Sequence, residues 1–148
     1  MYKNVLIATD GSELAIKAVR AGLELAKTVE AKVLLVTVTE PWPVVETAAQ
    51  AEIGVKDPVG TYEALARKGA QSTLAAAAEI AAQEGVDCAQ VHVRDRHPVS
   101  GILETAENND IDLIVVASHG RRGLNKLLLG SIANEVVSKS KVPVLVIR

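Results

Sequence analysis

Short apolar runs rich in β-branched residues recur along the chain and limit what it can fold into. Most of these runs lack the polar alternation of a strand with one wet face, and strands covered by helices on both faces have this pattern. A fifth, weaker run over 89–94 alternates Val91 and Val93 with polar residues, which predicts a strand at the sheet edge. The four clearest runs comprise residues 5–8, 33–38, 111–117 and 142–147.

Helical patterns lie between the apolar runs. Ser12 predicts the N-cap of a first helix, and Gly85 predicts the end of an alanine-rich helix over 61–84. Pro98 and Ser131 predict the starts of two further helices. The expected apolar stripes comprise Leu14, Ala18, Gly22, Leu25 and Val29 in the first helix and Ile132, Val136 and Val137 in the last.

The order of these elements predicts the fold. Residues 41–60 lack periodicity and contain several prolines and glycines, so we expect a long loop there. Strands and helices otherwise alternate, which is typical of an α/β protein with right-handed crossovers. We therefore predict one domain over residues 1–148, with a single doubly wound, Rossmann-like, five-stranded parallel sheet sandwiched by helices.

Composition excludes several classes of partner. The net charge of −2 supplies no basic field for nucleic acid or an anionic membrane, and three aromatic residues leave little surface for base stacking. The single cysteine, Cys88, excludes an internal disulfide and fits a reducing compartment. No apolar run reaches the ~18 residues of a membrane span, and no signal peptide is recognisable. We expect a cytoplasmic protein with no nucleic-acid or membrane partner.

The segment after the fourth apolar run has the chemistry of a phosphate site. In open α/β sheets, ligands bind at the carboxyl ends of the strands. Gly120 and Gly123 allow main-chain N–H groups to approach an anion, and Arg121 and Arg122 add positive charge. Gly130-Ser131 precede a helix whose N-terminus favours phosphate. The alternative interpretation is a surface loop with glycine turns and a serine cap.

Four sequence motifs together resemble the universal stress protein family over the whole chain. They are Ala-Thr-Asp-Gly-Ser at 8–12, Ser-His-Gly at 118–120, Gly-Ser at 130–131 after nine residues, and the final Val-Pro-Val-Leu-Val-Ile at 142–147. The nucleotide-binding branch of that family has glycine where this chain has Ala117, and many members have glycine where this chain has Arg96. The resemblance implies an adenine nucleotide alpha hydrolase-like fold.

The resemblance also implies a ligand and its site. ATP or another adenine nucleotide would bind with Mg²⁺, and Asp10 would approach the ribose or the metal. The main chain of Val38 would read the adenine edge. The remaining expected contacts are Ala8, Thr9, Ala117, Ser118, His119, Gly120, Arg121, Arg122, Gly123, Gly130, Ser131, Ile132 and Ala133.

Each functional interpretation has an alternative. The alternative for Asp10 is a cap of its own loop, the alternative for Val38 is a core residue, and His119 is interpreted as a turn residue rather than a general base. Three functions remain open: a nucleotide-binding regulatory module, a nucleotide-independent stress-response dimer, and a slow ATPase using a metal bound by Asp10. The apolar last strand, Val142 to Ile147, predicts a homodimer that pairs at this edge, as the resemblance also implies.

Overall fold

The computed structural model describes residues 1–120 and 128–148. Strands and helices follow one another along the chain in the predicted alternation. Their bounds are β1 (Asn4–Ala8), α1 (Glu13–Thr28), β2 (Lys32–Thr39), α2 (Val44–Glu52), α3 (Pro58–Glu84), β3 (Cys88–Arg94), α4 (Pro98–Asn108), β4 (Leu113–Ala117), α5 (Ser131–Lys139) and β5 (Val144–Ile147).

The strands form one sheet in the order β3-β2-β1-β4-β5, and every neighbouring pair is parallel. In the centre of the sheet, Ile7 of β1 pairs with Leu35 of β2 on one side and with Val115 of β4 on the other. The chain therefore winds outward from β1 to β3, then returns to β4 and winds the other way. This arrangement confirms the predicted doubly wound α/β sheet, with β3 at one edge.

Apolar side chains on both faces of the sheet form two clusters beneath the helices, which explains why the strand sequences lack polar alternation. One face packs against α1 and α3, and the other packs against α4 and α5. Successive residues of β1 alternate between the faces, so Ile7 belongs to the first cluster and Leu6 to the second. The largest side chains that are fully buried are Leu6, Ile7, Leu23, Leu35 and Ile114.

The expectation of a loop over 41–60 is wrong, because α2 occupies Val44–Glu52 and α3 begins at Pro58. The start of α3 is capped by Asp57, whose side chain accepts a hydrogen bond from Gly60 N at 3.1 Å. In α2, the buried residue is Thr47. A helix that buries so little has no apolar stripe in its sequence, and periodicity could not reveal it.

The predicted stripe of α1 is displaced around the helix. Ala18 and Gly22 are buried as expected, but Leu14, Leu25 and Val29 are half-buried. Small residues let α1 lie close to the sheet, since a Cβ on Gly22 would be 2.7 Å from Ile7 Cδ1. The buried face comprises Ala15, Ala18, Val19, Gly22, Leu23 and Ala26.

In α5 the predicted stripe is correct at Val136 alone, since Ile132 is 38% and Val137 is 46% exposed. Ala133, which the stripe omitted, is buried beside Val136 in the second cluster. Among the described residues, no helix combines the length and the apolar character needed to cross a membrane.

Candidate functional site

The carboxyl ends of β1 and β4 border the point at which the strand order reverses. β1 connects through α1 to β2 on one side, and β4 lies on the other side. Crossovers that leave in opposite directions open a crevice at this edge, which is where ligands bind in sheets of this type. The loops that follow β1 and β4 are therefore the first candidates for contact with a ligand.

Hydrogen bonds fix the loop after β1. Thr9 is 6% exposed, and its main-chain N donates to Val36 O at 2.9 Å. Gly11 N donates to Thr9 Oγ1 at 3.2 Å, and Ser12 N donates to Asp10 Oδ1 at 2.9 Å. Gly11 has φ of 79°, a conformation that favours glycine. The Asp10 side chain is thus held at the exposed rim of the crevice.

The loop after β4 lies directly against Asp10. A Cβ built on Gly120 would be 2.8 Å from Asp10 Oδ2, which is closer than a carbon and an oxygen normally approach. Glycine at position 120 therefore allows the carboxylate to lie over the main chain. A larger residue there would have to displace either the carboxylate or the loop.

Ser118 joins three segments of the chain. Its main-chain N donates to Ile147 O of β5 at 2.7 Å, and its carbonyl accepts from Gly130 N at 2.8 Å. Its hydroxyl is hydrogen-bonded to His119 Nδ1 at 2.9 Å, and the residue is 2% exposed. His119 is thus held by the residue that precedes it, and its interpretation as a turn residue stays a prediction.

Gly130 brings the start of α5 to the same crevice. A Cβ on Gly130 would lie 2.7 Å from Ser118 O, so this close approach requires glycine. Gly130 is also the N-cap of α5, and its carbonyl accepts the first helical hydrogen bond from Asn134 N at 2.9 Å. Because glycine has no side chain to cap the first turn, Gly130 leaves the initial N–H groups of α5 without the usual side-chain cap, and a helix start of this kind favours an anion.

The main chain of Val38 faces the crevice from β2. Val36 O accepts from Thr9 N, so the main-chain groups of Val36 face β1. Main-chain groups alternate sides along a strand, which places those of Val38 on the same side. Ala8, the last residue of β1, pairs with Val36, so Val38 extends beyond the end of β1. Its N–H and C=O therefore form a donor and acceptor pair directed into the crevice.

The structure accommodates the residues at which the sequence departs from the family pattern, Ala117 and Arg96. Ala117 is the last residue of β4 and pairs with Ile147, so its backbone is extended and alanine fits there. Arg96 lies in the loop after β3, and its Nε is 3.4 Å from Glu104 Oε2 of α4. Both of those side chains are about half exposed, and the guanidinium is thus paired with a carboxylate of α4.

Most of the residues predicted for the site converge at this edge of the sheet. Ala133 is 2% exposed and belongs to the core cluster, so its side chain is not directed toward a ligand. Arg121, Arg122 and Gly123 lie outside the described residues. The residues brought together are Ala8, Thr9, Asp10, Val38, Ala117, Ser118, His119, Gly120, Gly130, Ser131 and Ile132.

Asp10 is the one residue predicted to bind a metal at this site. Within residues 1–120 and 128–148, no three His, Cys, Asp or Glu side chains form a group suited to a metal ion. A lone carboxylate suits Mg²⁺ that is held mainly by a bound phosphate and water, because Mg²⁺ commonly retains such ligands. The chemistry of the crevice is therefore dominated by main-chain donors.

The sequence interpretation missed one residue near the site, Gly101 of α4, which packs against Val38. Its signal in the sequence is a glycine inside a predicted helix, where glycine costs stability relative to alanine and so points to a packing requirement.

The doubly wound sheet and its crevice define a Rossmann-like α/β protein whose candidate ligand site is the carboxyl edge of the sheet. The chain belongs to the universal stress protein family, whose sequence model matches residues 1–148. Universal stress protein YxiE of Bacillus subtilis is 30% identical over 149 residues, which cover all of both chains.

Related solved structures include two nucleotide complexes. A universal stress protein in complex with cAMP has a TM-score of 0.70 and 26% identity, covering 99% of this chain and 97% of its own. A universal stress protein from Archaeoglobus fulgidus in complex with dAMP has a TM-score of 0.71 and 25% identity, covering 99% and 98%.

Proposed function

We propose that this protein is a small regulatory module of the cytoplasm that binds an adenine nucleotide, with ATP and Mg²⁺ as its working ligands. The observation that carries this proposal is the direction of the Val38 main chain, which offers one donor and one acceptor to the crevice. The adenine edge carries an acceptor nitrogen beside an amino group, so it matches such a pair.

The same crevice suits the rest of a nucleotide. The first N–H groups of α5 favour a phosphate, and Ser131 supplies a hydroxyl beside them. The Asp10 carboxylate, held at the rim by Ser12 N, would contact the ribose or a Mg²⁺ bound by the phosphates. Gly120 keeps the β4 loop thin where the sugar would pass. We also assign Arg121, Arg122 and Gly123 to this site, from the sequence resemblance.

The related complexes support the choice of base. Both contain an adenine nucleotide, cAMP in one and dAMP in the other. The choice of ATP and Mg²⁺ over these nucleotides is our inference from the sequence resemblance to the nucleotide-binding branch of the family.

Isothermal titration calorimetry with Mg-ATP tests the proposal. We expect micromolar affinity for the wild-type protein. Ser131→Asp should weaken binding at least tenfold, because a carboxylate at the helix start occupies the anion position and repels phosphate. Gly69→Ala, on an exposed face of α3 with open space around it, is the matched control and should bind like the wild type.

The outcome that contradicts the proposal is a titration without heat, together with a melting temperature that excess Mg-ATP does not raise. A ligand that binds the folded state must stabilise it by mass action, so both results together would exclude binding in this range.

A second function is favoured by the β5 edge. All four residues of β5 are half-buried rather than covered, and the strand forms one border of the sheet. Pairing with β5 of a second copy would cover this edge and give a homodimer, with or without nucleotide. Size-exclusion chromatography with light scattering should give twice the monomer mass at micromolar concentration, and Leu145→Lys should lower it. A monomeric wild-type protein would contradict the dimer.

A further inference from the structure

Gly101 of α4 makes an unusually close contact with the carboxyl end of β2. A Cβ on Gly101 would lie 2.8 Å from both methyl carbons of Val38 and 3.3 Å from Val93 Cγ1. Carbon atoms normally rest about 3.5–4.0 Å apart. The helix therefore lies closer to Val38 than a residue with a side chain would allow.

Rotation of the valine does not relieve this contact. Its two methyl groups occupy two of the three staggered positions, and both flank the position of the missing Cβ. A step of one rotamer removes one methyl and leaves the other in place, and valine also resists intermediate χ1 angles. An added Cβ must therefore move the main chain of α4 or of β2.

Both elements are held in place near the contact. On the strand side, Thr39 O accepts from Arg96 N at 3.3 Å, and Thr39 Oγ1 is hydrogen-bonded to His92 Nε2 at 2.8 Å. On the helix side, Thr105 Oγ1 donates to Gly101 O at 2.7 Å, and Ile102 is buried in the core. Because neither α4 nor β2 can move freely, the displacement caused by an added Cβ is divided between the helix and the strand. Part of it therefore moves the Val38 main chain.

We propose that Gly101 is a positioning residue for base recognition: its missing side chain sets where the Val38 N–H and C=O lie in the crevice. This inference rests on the proposed nucleotide function. A donor and acceptor pair in this position selects adenine over hypoxanthine, because hypoxanthine carries an oxygen in place of the amino group and a proton on the neighbouring nitrogen. Gly101 thereby contributes to the choice of base without touching it.

The experiment compares AMP and IMP, which differ in this edge, by calorimetry on Gly101→Ala, the double variant Val38→Ala/Gly101→Ala, and the control Gly69→Ala. We expect Gly101→Ala to bind AMP three- to tenfold more weakly, as displaced hydrogen bonds predict, and to lower the AMP-to-IMP affinity ratio. The double variant removes the clashing methyls and should recover AMP affinity to within twofold. A merely structural effect would weaken AMP and IMP equally.

A second readout does not depend on nucleotide. The amide ¹⁵N–¹H resonance of Val38 in the ligand-free protein should move in Gly101→Ala and stay in place in Gly69→Ala. If Gly101→Ala does not fold, Val38→Ile replaces it, since the added methyl presses on the same contact from the strand side.

The inference is overturned if the wild-type protein binds AMP while Gly101→Ala keeps the same affinity and the same AMP-to-IMP ratio. In that case the proposed function stands and the role of Gly101 falls. If the wild-type protein and Gly69→Ala both fail to bind AMP, the proposed function fails, and base positioning by Gly101 fails with it.

Discussion

The substitution Gly130→Ala tests how closely the end of β4 packs against the start of α5. The added Cβ would lie 2.7 Å from Ser118 O, a main-chain atom that cannot rotate away. Ser118 is itself hydrogen-bonded to Ile147 of β5, so it is restrained on its other side. The clash must therefore push the first turn of α5 outward.

Three effects determine the size of the loss. Overpacking against a rigid neighbour costs about 1–3 kcal/mol. Stretching the 2.8 Å hydrogen bond from Gly130 N to Ser118 O removes part of the ~0.5–1.5 kcal/mol that such a bond contributes. Alanine is also a poorer N-cap than glycine, by about 0.5 kcal/mol. We expect Gly130→Ala to lower the free energy of unfolding by about 2–4 kcal/mol.

Urea denaturation followed by circular dichroism measures this loss, and an unchanged m-value shows that the unfolding transition is comparable. Gly69→Ala is the control, because a Cβ there meets nothing within 4 Å and alanine favours the helix, so its stability should rise by about 0.5–1 kcal/mol. A loss below about 1 kcal/mol for Gly130→Ala, at the same m-value, would refute the close packing of Gly130 on Ser118.

Three further predictions concern the core and the edge strand. Leu35→Ala should cost about 2–5 kcal/mol in urea denaturation, because Leu35 is 0% exposed; a cost under 1 kcal/mol would contradict its packing. The pKa of His92 is lowered mainly by burial and further by the positive charge of Arg94, so folding favours the neutral imidazole. Its contribution to stability is present above the unfolded pKa of about 6.5 and lost as pH falls; parallel pH curves for wild type and His92→Gln would exclude this. The pKa of the Cys88 thiol is raised mainly by burial and further by the negative charge of Asp87. Iodoacetamide at pH 8 should therefore label Cys88 more slowly than free cysteine, as followed by mass spectrometry. An equal labelling rate would contradict this prediction.

Much of the architecture follows from local sequence. Strands covered on both faces must be apolar throughout, so their runs identify the parallel sheet before its topology is known. The ends of helices are set by residues a few positions away, as Ser12 shows by accepting from Ala15 N at 3.2 Å. The same local rules failed for α2, which buries Thr47 and little else, and whose sequence therefore lacks periodicity.

The sequence predicts which residues belong to the candidate site, but not which of them are in contact. Strand ends and glycine positions can be read from the sequence, and they are the reason Asp10, Gly120 and Gly130 are candidates. Their mutual placement depends on residues far apart in the chain. A glycine in the sequence does not say which atom approaches it, and the neighbour of Gly101 proves to be Val38.

Local sequence is enough to predict the alternation of strands and helices, the parallel sheet and the segments that reach its carboxyl edge, because propensity, capping and burial act over a few residues. Long-range packing is needed to see that the Val38 main chain extends past the end of β1, that Asp10 lies against Gly120, and that Ser118 joins β5 to the start of α5. These contacts arise when separate elements pack at fixed distances, and close packing lets a single missing Cβ decide whether two of them meet.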